Sequence, residues 1–189
     1  MQLATEGQEI QTPEDAIKDP VVLEFLGLPE SRRLVESELE EALISNLQHF
    51  LLEMGRGFAF VARQQRLMLD GDHFYIDPVF YHTLLKCYVL IDLKAGKLTH
   101  ADLGQIQLYV NYYDAERRAE DDNATIGLIL CADKNDAVVK YTLGEASRQI
   151  FASRYRLHLP SEQELAEEIR RELRQFSNND DTDLRRSRD

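Results

Sequence analysis

The stretch Phe74-Tyr75-Ile76-Asp77-Pro78-Val79-Phe80-Tyr81, answered a few residues later by Lys86-Cys87-Tyr88-Val89-Leu90-Ile91-Asp92-Leu93-Lys94, decides how this chain is built. Both runs are rich in aromatic and β-branched residues, which fit a pleated, half-buried surface. In the second, Cys87, Val89 and Ile91 alternate with Tyr88, Leu90 and Asp92, the period of a strand. That period sends Asp92 and Lys94 to one side of the strand and Leu93 to the other. A charge on the inner face of an apolar strand is costly unless it has a partner. Asp77, in the middle of the first run, is an equally poor place for an idle carboxylate. If the two runs lie side by side and antiparallel, Asp77 and Asp92 converge. Two converging carboxylates make an oxygen-rich seat for Mg²⁺, and a nearby ammonium orients water and offsets phosphate charge. The plainer reading is a structural ion pair, since Asp-x-Lys at a strand end is common.

Working outward, Phe58–Leu69 is a third β-rich run, joined to the Phe74–Tyr81 run through Asp70-Gly71-Asp72, a hairpin signal. Before it, Ser37 and Glu40 form a capping-box pattern, and Leu39, Leu43, Leu47, Phe50, Leu51 and Met54 recur at helical spacing up to Gly55 and Gly57. Glu41 borders the apolar arc of this helix. Residues 1–18 read as a flexible lead-in, and the apolar cluster in residues 20–29 as a helical turn or two.

Downstream, Gly96 is expected to break the Lys86–Lys94 strand, and Thr99 with Asp102 to open a second helix on a stripe of Leu103, Ile106, Val110 and Tyr113. Gln105 and Tyr109 are four apart and share another face of that helix. Thr125–Cys131 is nearly continuous in apolar residues, the mark of a strand covered on both faces. Val138–Leu143 and Tyr155–Leu159 are read as edge strands, and Ser161–Phe176 as an amphipathic helix before a polar tail. The result is an α/β sandwich with a mixed sheet. The organisation expected is a lead-in over residues 1–36, one domain over 37–160, and a helix with its tail over 161–189.

The chain has 189 residues, of which 43% are hydrophobic, enough for one domain with a sizeable core. A formal net charge of −12 argues against a non-specific DNA coat, whose phosphate affinity comes from Lys and Arg. It leaves a metal-loaded acidic site open, because the ion reverses the local sign. Cys87 and Cys131 each lie in an apolar run, so both are expected as buried core residues in a reducing, cytoplasmic compartment. No apolar run is long enough to span a bilayer.

Taken in order, Glu41-Ala42-Leu43-Ile44, residues 50–61, Phe74–Asp77, Phe80-Tyr81-His82, Ile91–Lys97, Gly104-Gln105, Tyr109 and Ile126–Cys131 resemble the PD-(D/E)XK nuclease-like superfamily, and within it the bacterial YhcG-type group. The resemblance runs over roughly residues 20–165. It implies a restriction-endonuclease-like αβββαβ core and a metal-dependent nuclease acting on nucleic acid, DNA before RNA, with Mg²⁺ or Mn²⁺ as cofactor. It implies Asp77 and Asp92 as metal ligands, Glu41 as the helix-borne acid completing them, Lys94 as the group that positions water, and Gln105 beside the site, with Tyr109 a weaker candidate. Asp92 stands where the group more often has Glu, one methylene longer. Members of the group also carry an N-terminal helical domain, whereas about 36 residues precede the first core helix here. Recognition through a protein partner, a homodimer, or a chain that is a piece of a longer protein follow as expectations. The alternative is a catalytically silent module that keeps the fold to bind a partner.

Overall fold

A computed structural model describes residues 10–28, 35–76, 78–143, 149–157, 161–163, 166, 167 and 170. The chain divides into two compact units, Met1–Leu157 and His158–Asp189. In the second, the described residues 162, 163, 166, 167 and 170 are helical. The rest of the expected Ser161–Phe176 stripe lies outside the described residues.

The first unit opens with a short helix, α1 (Pro13–Ala16), a two-residue strand, β1 (Val21–Val22), and one 3₁₀ turn. Helices α2 (Glu36–Ser45) and α3 (Leu47–Met54) precede strands β2 (Phe58–Ala62), β3 (Gln65–Leu69), β4 (Asp72–Ile76), β5 (Val79–His82) and β6 (Cys87–Lys97). Helix α4 (His100–Glu116), strand β7 (Ile126–Asp133), helix α5 (Asp136–Leu143) and strand β8 (Ile150–Arg156) complete it. Six strands form one mixed sheet in the order β1-β8-β7-β6-β5-β2, and β3 pairs only with β4. The β2-β5 and β5-β6 pairs are antiparallel, while β6, β7, β8 and β1 run parallel. Read along the chain, α2–α3, β2, β5, β6, α4 and β7 form the expected αβββαβ core, with the β3–β4 hairpin inserted between its first and second strands.

The alternation along β6 and β7 divides the core in two. Val89, Ile91, Leu93, Ile126, Leu128 and Leu130 pack with Leu39, Leu43, Phe50 and Met54 of α2 and α3. Leu90, Ile129 and Cys131 face the other way, onto Ile106, Tyr109 and Val110 of α4. Gly127 lets α4 lie close to the sheet, because a Cβ there would stand 2.7 Å from Ile106 and 2.9 Å from Val110. Both cysteines are free and buried, and burial pushes the pKa of each thiol up to about 11, away from the thiolate form.

Several expectations give way to the structure. The β-rich runs Phe58–Leu69 and Phe74–Tyr81 are each split, the first at Arg63-Gln64, where Gln64 has a φ of +50°, and the second before Pro78, which has no N–H to give to a ladder. Gly96 does not end β6, which continues to Lys97. The helix begins at Glu36 with Val35 as N-cap and no side-chain cap, so Ser37 and Glu40 form no capping box. It breaks at Asn46 into two helices. Val138–Leu143 belongs to helix α5, not to an edge strand: Asn135 Oδ1 accepts from the backbone N–H groups of Ala137 and Val138, and Val138, Val139 and Leu143 pack against the α4 side of the core. This cap and burial override the β-branched propensity. Strand β8 is internal, between β1 and β7. Residues 10–18, expected in a flexible lead-in, are folded onto the core through Ile10, Ala16 and Ile17.

His82 ties the end of β5 to the turn that follows it. It is fully buried, its Nδ1 accepts from Leu85 N at 3.1 Å, and its ring stands edge-on to Phe58 at 4.7 Å. Burial holds its pKa below the ordinary imidazole value. A lowered folded-state pKa means that the unfolded chain takes up the proton first. Stability is therefore full above about pH 6.5 and is lost as pH falls through the folded value. Melting temperatures recorded on the acidic side of neutrality are expected to drop, and His82→Asn, which keeps an acceptor but no titration, to flatten that limb. An unchanged slope in the variant would assign the limb to other groups.

Candidate active site

Among the described residues, strand β5 pairs with β6 as far as Val79 opposite Leu90, with one further bond from Ile91 N to the Pro78 carbonyl at 3.1 Å. A cavity of about 360 Å³ is lined there by Glu40, Gln64, Tyr75, Ile76, Ile91, Asp92, Ile106 and Tyr109. Asp92 and Lys94 lie on the same side of the strand, as the period requires, with Lys94 Nζ 3.2 Å from Asp92 Oδ2. Leu93 points to the opposite core.

Lys94 has a second carboxylate partner, Asp102 Oδ1, at 3.6 Å. Asp102 is the N3 residue of α4, and its other oxygen accepts from Thr99 N at 2.8 Å and Thr99 Oγ1 at 2.7 Å. The capping box that starts α4 thus also holds the lysine. From the other side, Glu36 at the first turn of α2 accepts from Ala95 N at 3.1 Å. Burial alone would lower the Lys94 ammonium, yet the charges of Asp92, Asp102 and Glu36 hold it above its ordinary range. Asp92 moves the same way for a different reason: burial raises its carboxyl more than Lys94 lowers it. Its Oδ2 is buried and meets the Lys94 ammonium at 3.2 Å. One ammonium shared among three carboxylates leaves the site net negative, and carboxylate oxygens are the donors suited to a hard divalent cation. Among the described residues, however, no group of three or more His, Cys, Asp or Glu side chains is placed to hold a metal ion.

The other expected residues fall as follows. Asp77 lies outside the described residues; of its neighbours, Ile76 lines the cavity and the Pro78 carbonyl accepts from Ile91 N. Glu41 is exposed and lines a neighbouring cavity with Ser37, Glu40, Ser45, Arg63 and Gln64. It is Glu40 that borders the cavity of Asp92, because one residue's rotation of α2 turns 40, not 41, towards the strand. Gln105 is exposed and donates its amide to the Tyr109 hydroxyl at 2.6 Å, and Tyr109, not Gln105, lines the cavity. Tyr109 is buried in the Leu103–Val110 core and not turned away from it. Glu36, Glu40, Asp102, Gln64 and Tyr75 were not singled out by sequence as site residues. The i, i+4 spacing of Glu36 and Glu40 was the available signal for the two acids of α2.

Residues 14–174 match the family described as the YhcG PDDEXK nuclease domain. The chain belongs to that family. YhcG of Escherichia coli (strain K12) is 44% identical over 157 residues, which cover 83% of this chain and 41% of that protein. This YhcG-family chain therefore spans about two fifths of the length of its curated relative. Among solved structures, a repair endonuclease from Pyrococcus abyssi aligns over 70% of this chain and 50% of its own at 17% identity, with a TM-score of 0.45. EndoMS in its apo form aligns over 70% and 49% at 15% identity, with a TM-score of 0.42. The match to the family confirms the group that the ordered segments of the sequence resemble. Among the described residues no helix is long and apolar enough to cross a membrane.

Proposed function

We propose that this domain hydrolyses nucleic-acid phosphodiesters, DNA in the first instance, at the Asp92–Lys94 end of β6 and with a bound Mg²⁺ or Mn²⁺. The observation that carries the reading is the Asp92 carboxylate, its buried Oδ2 ion-paired with the Lys94 ammonium at 3.2 Å, in the wall of a cavity. Asp92 and Asp77 would hold the ion, with Glu40 in place of Glu41 as the carboxylate contributed by a helix. Bound there, the metal supplies a Lewis acid for a phosphate oxygen and an acidified water.

The chain's own groups do the rest. Lys94, kept charged by three acids, donates to the attacking water and faces the phosphate. Asp102 and Glu36 fix where that ammonium sits, through the start of α4 and the backbone of Ala95. Tyr109 and Ile106 wall the cavity and limit the water within it. Regions of longer relatives beyond this domain, a protein partner or a second copy would contribute target recognition.

A silent binding module is the competing reading. Cleavage of plasmid, single-stranded DNA and RNA with Mg²⁺, Mn²⁺ or EDTA, together with metal calorimetry, separates the two. Metal-dependent nicking supports hydrolysis; no heat of Mg²⁺ or Mn²⁺ binding and no cleavage support the silent module.

A further inference from the structure

The β3–β4 hairpin is an insertion that the αβββαβ core does not need. Its register pairs Arg66 with Tyr75 and Met68 with His73 across the two strands. Leu67, Phe74 and Ile76 point inward and pack against the α4 side of the core, where Phe74 meets Tyr109 edge-on at 6.4 Å. The alternation leaves Arg66, Met68, His73 and Tyr75 on the outward face, all exposed, Tyr75 to 58% and Met68 to 60%. Arg66 is held by the His73 ring at 2.9 Å. Within a chain of net charge −12, residues 54–69 carry Arg56, Arg63 and Arg66 and no acidic residue. The face is also continuous with the candidate site: Tyr75 and Asp92 line one cavity, and Gln64, at its unusual positive φ of 50°, lines that cavity and the next one with Arg63.

We propose that the outward face of this hairpin is a track for single-stranded nucleic acid, which delivers an unstacked nucleotide, its phosphate towards Asp92 and Lys94, into the cavity. Cationic and aromatic groups side by side are what a single strand recognises, phosphates on the arginines and base faces on the ring. A Watson–Crick duplex hides those faces in its own stack, and a cavity of about 360 Å³ has room for a base but not for a duplex. The Gln64 amide, with donor and acceptor, can address the base edge there. This inference deepens the nuclease reading by naming the form of its substrate.

The test is fluorescence anisotropy in EDTA, so that no cleavage intervenes, with oligothymidylate, oligouridylate and a duplex, each of about 12 nucleotides or base pairs. Tighter binding of either single strand than of the duplex is expected; the stronger of the two shows whether DNA or RNA is the source. Tyr75→Ala should weaken that binding about 5- to 150-fold, and Tyr75→Phe should restore it. Arg66→Gln should lower the salt slope by about 0.7, one phosphate's share on a single strand. Binding that favours duplex, or a single-strand affinity indifferent to both Tyr75→Ala and Arg66→Gln, overturns the track. Because the readout needs no metal, cleavage that depends on Asp92 alongside binding indifferent to both substitutions removes the track alone. Tyr75-dependent binding without any cleavage removes the nuclease reading alone.

Discussion

Asp92→Asn is expected to abolish metal-dependent cleavage while raising the melting temperature of the metal-free protein at neutral pH. Loss of activity follows from the role proposed for the carboxylate. Mutating groups that merely orient a metal ligand costs about 10- to 100-fold, so removing the ligand should cost at least about 100-fold. The gain in stability follows from burial. The Asp92 carboxyl is raised because desolvation outweighs its attraction to Lys94, so the ionised form is a net cost to the fold. An acid with a raised folded-state pKa carries that cost in full above the folded value. The cost vanishes as pH falls below the unfolded value of about 3.9. The amide therefore stabilises most above the folded-state value, on the order of 1 kcal/mol or a few degrees, and the advantage fades towards acid. Lys94 stays satisfied in the variant through Asp102 and Glu36. Thermal melts with and without Mg²⁺ check this: added metal should stabilise the parent and not the variant. Full activity in Asp92→Asn, or a melting temperature below the parent's in EDTA near neutral pH, would sink the assignment.

The second large effect concerns the fold, not the chemistry. Gly57→Ala is expected to lower stability by about 3 kcal/mol, or roughly 6–12 °C for a domain of this size. Gly57 has a φ of +98°, a region that costs an L-residue energy in any surroundings. An added Cβ would also stand 2.6 Å from His82 Cε1 and 2.8 Å from its Nε2. That ring is fully buried and cannot retreat without releasing the Leu85 N–H and its edge contact with Phe58. The Gly57 carbonyl further accepts from Thr83 N at 2.8 Å, so the strain passes directly into the end of β5. A control at Gly71, with a φ of +92° but nothing within 4 Å of an added Cβ, isolates the strain component. Gly57→Ala should cost clearly more than Gly71→Ala; equal losses would remove the clash from the explanation.

What was legible in the chain is what depends on neighbours in sequence. The period of two along Cys87–Lys94 put Asp92 and Lys94 on one side, and the structure finds them 3.2 Å apart. Thr99 and Asp102 announced the start of α4, and the apolar run at Ile126–Cys131 announced a strand buried on both faces. Local signals failed where a residue's state is set by what lies across from it. Val138–Leu143 has the composition of a strand, but it is capped by Asn135 and half-buried against α4 as a helix.

The same division holds at the site. Sequence by itself determined the family, the alternation of β6 and the acid–ammonium pair at its end, because strand period and segment order are written into consecutive residues. Only the tertiary structure decided that Glu40 rather than Glu41 borders the cavity, that Asp102 both caps a helix and anchors Lys94, and that Tyr75 on an inserted hairpin shares a wall with Asp92. Those relations depend on how far each helix is rotated and how the hairpin folds back, which packing of the two cores fixes and no local pattern encodes.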